Sequence, residues 1–241
     1  MIIISYYEHK VIQLRSAVAP PVRRQRGWSD AQGIGAMRYE KGRKDATRQR
    51  IIEVASKQFR GGGLAATGIA SVMSEAGLTN GAFYPHFASK AELITKTLAS
   101  ELAKQNEHQK HFVDTNQGLA AAIRGYLRNS HRENAEGGCP SAALLPEIAR
   151  APRATRQAYQ DGLAAIIDTL ARHFPDDPGE GSRRKAVAVF ALLVGTMQIA
   201  RAVPNAALAQ KILADAVDAA LTLAAAPPRA MTASRRQKPR R

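Results

Sequence analysis

The sequence predicts an all-α protein. Two observations lead there: a pair of short amphipathic segments joined by a glycine turn between Leu64 and Lys90, and apolar residues at three- and four-residue spacing in successive segments from Thr47 to Ala225. The segments group into a three-helix unit over residues 43–92 and a second helical unit over residues 93–226, with basic ends at 1–42 and 227–241.

Thr47 to Arg60 sets Ile51, Ile52, Ala55 and Phe59 on one face, and Gly61-Gly62-Gly63 stops it. The glycines also make the following loop looser than the fold needs. Arg48 and Arg50 lie within reach of phosphate, although a solvated face is the commoner role of any one surface cation. Ile69, Val72, Met73 and Ala76 then fall at helical spacing after Thr67, whose side-chain oxygen can cap the free N–H groups of the first turn. Gly77 supplies the left-handed residue that ends this helix, Leu78 offers an apolar side chain to the core, and Thr79 can cap the next helix. A connection this short is what a helix-turn-helix requires. The second helix, Asn80 to about Phe87, turns Phe83 and Phe87 inward and leaves Asn80, Gly81, Tyr84 and His86 facing out.

A second helix of this kind lies in the major groove, with the residues near its N-terminus at base edges and its flanks on phosphate. Asn80 is suited to a bidentate contact with adenine N6 and N7. Gly81 lets the backbone approach the groove floor, while Tyr84, His86 and Lys90 offer hydrogen bonds or charge to the sugar-phosphate backbone. Thr67 and Thr79, at the starts of the two helices, complete the candidate DNA-binding set. Ser89-Lys90-Ala91-Glu92 reads as a capping box, which puts Lys90 in the first turn of a third helix, where free N–H groups also attract phosphate. Pro85 lies inside the expected recognition helix. It removes a backbone donor and disfavours helical geometry at Tyr84, so the helix is expected to be short or kinked after Phe83.

The run TGIASVMSEAGLTNGAFYPHFASKAEL resembles the DNA-binding signature of the TetR/AcrR family of transcriptional regulators, over about Thr47 to Ile94. That resemblance implies an all-α homodimer: an N-terminal three-helix HTH DNA-binding domain, then a C-terminal helical ligand-binding and dimerisation domain. It also implies repression relieved by a small-molecule inducer. A twofold dimer in turn demands a palindromic operator in double-stranded DNA, with paired recognition helices about 34–36 Å apart.

The formal charge of +15 looks like a nucleic-acid footprint, but it is unevenly spread. Residues 1–46 hold nine basic and four acidic side chains, and residues 227–241 hold six basic and no acidic ones, so the ends carry +11. Such ends add salt-sensitive, sequence-independent affinity for DNA, or are simply solvated. Residues 1–42, with Pro20-Pro21, scattered glycines and no sustained period, are expected to be mostly disordered. Met37 precedes a short basic lead-in and is expected to be the true translation start. The apolar opening is interrupted by Glu8, His9 and Lys10 and makes a poor signal peptide. No uninterrupted apolar run approaches 18 residues, so no membrane span is expected and the reading is cytoplasmic. A single cysteine rules out a disulfide framework.

Ser89 to about Phe112 is a long helix with Leu93, Ile94, Leu98 and Leu102 on its apolar side. A further helix carries Leu119, Ile123, Tyr126 and Leu127 to near His131, and Pro140 opens a short one containing Leu144 and Ile148. After Ala151-Pro152 another runs to Phe174. The loop PDDPGEGS follows, with Ser182 as the expected cap, and two last helices span Arg183 to Val203 and Ala206 to Ala225. The first of these two is apolar nearly all round and is expected to be buried against another subunit. The resemblance agrees, since it implies a homodimer through the last two helices. Ala188, Ala191, Gly195 and Ala200 would permit close approach there.

Cys139 would sit at the N-cap of the Pro140 helix, where a thiolate is favoured, so a reactive or ligand-sensing thiol is weighed against inert packing, the commoner role. Tyr126, Tyr159 and Met197 combine apolar bulk with polar or soft atoms and join Cys139 as candidate ligand contacts, although ordinary core is the commoner role for each. His108, His111 and His131 form no metal-ligand spacing, so no metal is expected. No phosphate loop, nucleophile elbow or carboxylate pair is present, so neither a cofactor nor an enzyme activity is expected. The competing reading is a helical small-molecule-binding or scaffold protein with a non-functional HTH.

Overall fold

The computed structural model describes residues 33–115, 118–175 and 179–227. Among these it holds nine α-helices: α1 (Gly33–Gly62), α2 (Ile69–Glu75), α3 (Lys90–Asp114), α4 (Gly118–Tyr126), α5 (Asn129–Glu133), α6 (Pro140–Ala149), α7 (Arg153–Ala171), α8 (Glu180–Ala202) and α9 (Ala206–Ala225). Among the described residues the chain divides between Thr47 and Arg48 into two units. In the first, the Thr47 hydroxyl donates to the Arg43 carbonyl at 2.9 Å. Residues 1–32 and 228–241, and with them most of both basic ends, lie outside the described residues, whereas residues 33–42 form the start of α1.

In the second unit, Ile51, Ala55 and Phe59 of α1 are buried, as their spacing predicts. Gly63, at φ +87°, follows the last residue of that helix. The α2 helix buries Val72 and Met73 and closes through Gly77 at φ +67°. There the Leu78 N–H bonds the Met73 carbonyl at 2.9 Å and the Gly77 N–H bonds the Ser74 carbonyl at 3.0 Å. This is the paired closure that a left-handed residue after a helix makes possible, and glycine adopts it without strain.

The long α3 packs chiefly against α7, and α8 against α9 and α7. Leu93, Leu98 and Leu102 of α3 meet Ile166, Ile167 and Leu170 of α7 in one continuous core. Three boundaries differ from the spacing-based expectation. The helix expected to reach His131 stops at Tyr126, and α5 starts separately after Arg128. The α7 helix ends at Ala171, and Phe174 reaches the core through short turns, its N–H bonding the Ala171 carbonyl at 3.0 Å. Finally, Ser182 is not a cap. Gly179 at φ +71° occupies that position, and the Ser182 hydroxyl, buried inside α8, donates back to the Gly179 carbonyl at 2.8 Å.

Among the described residues α8 is the one helix long and apolar enough to cross a membrane, with mean hydropathy 1.4 over its best window. Its apolar surround has a different cause. Ala186, Val189, Phe190, Leu193, Val194, Met197 and Ala200 are buried within this chain, against its own α6, α7 and α9. Expecting the whole helix to be covered by a second subunit overstated the exposed part. What remains open is a stripe containing Val187 (52% exposed), Ala191 and Ile199 (56%), beside Leu208 (50%) on α9.

Candidate nucleic-acid interface and an interior polar cluster

The expected recognition helix is not a helix of normal length. Asn80–Ala82 form a single 3-10 turn, and residues 83–86 continue as turns. The N–H groups of Ala82 and Phe83 bond the carbonyls of Thr79 and Asn80 at 3.0 and 3.1 Å, three residues back, and only Phe87 reaches four residues back, to Phe83 at 3.0 Å. Pro85 is the physical reason. It has no N–H to give, and its ring pushes Tyr84 away from α-geometry.

The side-chain layout nevertheless follows the expectation. Phe83 and Phe87 are fully buried, their rings 5.6 Å apart, while Asn80 and Gly81 are exposed and Tyr84 is 69% exposed. The Arg48 guanidinium lies 4.3 Å over the Phe87 ring, donates to the His86 carbonyl and stands 3.7 Å from the Glu92 carboxylate. The turn is therefore clamped from behind by α1 and α3. His86 is half-buried instead of facing out.

Two threonines and a lysine of the DNA-binding set are placed differently from expectation. Thr67 is buried, its hydroxyl donating to the carbonyls of Gly63 and Gln58 at 2.8 and 3.2 Å, and α2 is preceded by Gly68 with no side-chain cap. Thr67 thus braces the loop after α1 and has no open face for phosphate. Thr79 occupies the N-cap position without making a side-chain cap bond. Lys90 is half-buried and its ammonium donates to the Ala65 carbonyl at 3.1 Å, because Ser89 caps α3 as expected, accepting from the Glu92 N–H at 3.1 Å. Glu92 reaches back to the Ala88 N–H, one residue before the cap, at 2.8 Å.

Polar ties fasten this end to the helices behind it. Arg60 of α1 pairs with Glu101 of α3, both side chains at most 10% exposed, and donates to the Glu136 carbonyl at 2.6 Å. Burial alone would raise the Glu101 carboxyl, but Arg60 and Lys104 together hold it below its usual value. From α6, the Glu147 carboxylate accepts from the Leu64 and Ala65 N–H groups at 2.7 and 3.2 Å. None of these four residues stood out in the sequence, because each pair is far apart along the chain.

The ligand candidates gather in part. Cys139 is the N-cap of α6, as expected, yet it is buried and its thiol donates to Gln105 Oε1 at 3.5 Å. Tyr126 lies against that thiol, and its hydroxyl finds no satisfying hydrogen bond among the described residues. Burial, and then the neighbouring Cys139, push the Tyr126 phenol well above its ordinary range. Tyr159 donates to the Ser141 hydroxyl at 3.2 Å, and burial raises its phenol as well. Met197 is fully buried on α8 without a hydrogen bond or ring contact that ties it to this group.

Two residues outside the ligand candidates organise the cluster. His131 Nε2 accepts from the Cys139 N–H at 3.1 Å, which leaves Nδ1 to donate to the Tyr126 carbonyl at 2.7 Å, so the ring is the neutral tautomer. Burial, reinforced by Arg201 and Arg128, lowers its pKa to about 4. Arg201 of α8 donates to the His131 and Arg132 carbonyls at 2.8 and 3.2 Å, while its Nη1 is buried without a partner among the described residues. Gly138 is needed beside them, since a Cβ there would fall 2.8 Å from both Arg201 Nη2 and His131 Nε2. The one signal in the sequence was an arginine in the last turn of α8, at the end of its apolar stretch.

Comparison with known proteins bears on the DNA-facing end first. Residues 51–96 match the family described as bacterial regulatory proteins, tetR family. The HTH-type transcriptional regulator TtgR of Pseudomonas putida is 39% identical over 72 residues, which cover 30% of this chain and 34% of that protein. The chain thus spans about a third of the length of the curated relatives it matches. Over the longer chain the likeness is one of fold. The TetR-family regulator from Cytophaga hutchinsonii superposes with TM-score 0.62 at 21% identity, covering 78% of this chain and 98% of that one. The regulator FadR from Bacillus subtilis, in complex with stearoyl-CoA, superposes with TM-score 0.55 at 13% identity, covering 73% and 97%. Residues 51–96 therefore form a domain of the family described as bacterial regulatory proteins, tetR family, and the helices behind them share the fold of solved regulators.

Proposed function

We propose that the protein is a transcriptional repressor that binds a palindromic operator as a homodimer and releases it when a small molecule enters the C-terminal helices. The observation that carries this reading is the presentation of Asn80, Gly81 and Tyr84 on an exposed turn whose buried side, Phe83 and Phe87, is locked to α1. Polar groups with base-reading and phosphate-binding chemistry are held there at low entropic cost on binding. A second copy would cover the Val187, Ala191, Ile199 and Leu208 stripe, the large apolar surface left open on the last two helices. The small molecule would satisfy Tyr126 Oη and Arg201 Nη1, two buried atoms with no satisfying hydrogen bond among the described residues. FadR, a protein of this fold, holds stearoyl-CoA.

Fluorescence anisotropy with the chain's own upstream DNA, challenged by random duplex, tests the reading. Repression requires sequence-selective binding that falls at least tenfold in Asn80→Ala and Tyr84→Ala but stays unchanged in Tyr159→Ala. The second reading, a helical ligand-binding or scaffold protein with a non-functional HTH, is favoured by one observation: a 3-10 turn stands where a recognition helix is expected. Equal grip on all duplexes would select it. Sedimentation of Val187→Lys and Ile199→Lys tests the dimer, which should dissociate in either variant.

A further inference from the structure

We infer that Arg150, Arg153 and Arg156, at the junction of α6 and α7, form a second phosphate-binding surface that grips the DNA backbone beside the helix-turn-helix contact. The inference rests on the DNA-binding reading above and adds to it a contact from outside the residues that match the family.

Placement comes first. Glu147 of α6 holds the Leu64 and Ala65 N–H groups, and Lys90 holds the Ala65 carbonyl, so the end of α6 and the start of α3 meet on one loop. Arg150 follows Glu147 by three residues, one turn on, as the last cap of α6. Pro152 then starts α7. The Thr155 hydroxyl in its first turn is fastened to Thr95 of α3 at 2.8 Å, and since Thr95 donates to the Ala91 carbonyl at 2.8 Å, Thr155 donates to Thr95. Thr95 lies five residues beyond Lys90, about 8 Å along the helix axis, roughly a quarter of the ~34 Å repeat of duplex DNA. Arg153 and Arg156 flank buried Thr155 on that same turn.

Charge and exposure come second. All three arginines are exposed, and among the described residues none makes an ion pair or side-chain hydrogen bond. Neighbouring carboxylates are engaged elsewhere: Glu147 accepts from two backbone N–H groups, and Asp161 accepts from Gln157 at 2.9 Å. Three unneutralised guanidiniums within seven residues, one ending α6 and two on the first turns of α7, repel in the free protein. A row of phosphates relieves that repulsion and accepts their forked donors. These contacts would carry no base information, so they would raise affinity for any sequence and steepen its salt dependence.

The test is anisotropy with a 30-base-pair random-sequence duplex across 50–300 mM salt, using the full chain so that both basic ends are common to every protein compared. The triple variant Arg150→Gln, Arg153→Gln, Arg156→Gln should lower the slope of log K against log salt by about 0.9 for each phosphate no longer neutralised, two to three in all. The corresponding triple lysine variant should restore it, because a point charge suffices for a phosphate. An unchanged slope with affinity within twofold of the parent overturns the inference while leaving DNA binding intact. A parent chain that binds no duplex at 50 mM salt overturns both readings. Unfolding midpoints within 2 °C of the parent should accompany the shallower slope, since exposed unpaired side chains contribute little to stability.

Discussion

Two polar systems in this chain are built in opposite senses. The turn at 79–88 puts its two phenylalanines inside and its asparagine and tyrosine outside, so water satisfies the polar groups until a partner replaces it. The cluster around Tyr126, His131, Cys139 and Arg201 puts polar groups inside and, among the described residues, leaves Arg201 Nη1 without a partner and Tyr126 Oη with no more than the Cys139 thiol beside it. The first arrangement is stable in isolation and waits for a surface. The second is held in place by its surroundings, and under the proposed function a small molecule would complete it. Stability measurements should therefore separate the two regions, because substitutions that remove a hydrogen-bonded polar group ought to be silent in one and visible in the other.

The largest effect is expected at the hinge of the contrast. Phe83→Ala removes a fully buried ring behind the exposed turn and should cost about 3–5 kcal/mol in denaturant unfolding, with DNA affinity lost alongside. A cost below 1 kcal/mol would mean that the turn is not anchored from inside. Next comes pH. The folded-state pKa of His131 is pushed down to about 4, so the unfolded chain binds more protons between its ordinary value near 6.5 and that point. Stability contributed by the neutral ring is complete above pH 6.5 and is lost as pH falls toward 4, by roughly 3 kcal/mol. In His131→Gln that share of the pH dependence should vanish, which unfolding at pH 7 and pH 5 would reveal.

Asn80→Ala should leave the unfolding midpoint unmoved and reduce discrimination between operator and random duplex by about 1–3 kcal/mol, read from competitive anisotropy. Uniform weakening on all sequences would assign Asn80 to phosphate and not to a base. The smallest effect sharpens the contrast most. Tyr126→Phe deletes a buried hydroxyl that lacks a satisfying bond, so it should leave stability within about 1 kcal/mol or raise it, while weakening any ligand that bonds there. A clear loss of stability would show that the hydroxyl is satisfied in solution, by water or by the Cys139 thiol.

The stretch from Gly77 to Glu92 was largely legible because its signals are local. Gly77 before Leu78, Phe83 four residues before Phe87, and Ser89 three before Glu92 each report on neighbours within a turn of the chain, and each took the expected place. Even the shortened recognition segment was announced by Pro85. Thr67 misled because a threonine before a helix satisfies the capping pattern whichever way it turns. Here the Gly63 and Gln58 carbonyls capture its hydroxyl. Ser182 misled in the same way, one turn inside the helix it was expected to start.

The interior cluster was half legible. Tyr126, Cys139 and Tyr159 could be chosen by type, but Arg201 and His131 could not, since what makes them notable is that α8 and α5 bring them together across 70 residues. Apolar periodicity decides, without any help from distant residues, that this chain makes helices and which face of each is buried, because burial on a helix repeats every three or four positions. Which polar groups end up facing one another inside, whether an arginine finds a carboxylate or only carbonyls, and which part of α8 stays open are decided only when the helices pack. Those outcomes depend on crossing positions between segments far apart in sequence, and no local pattern encodes them.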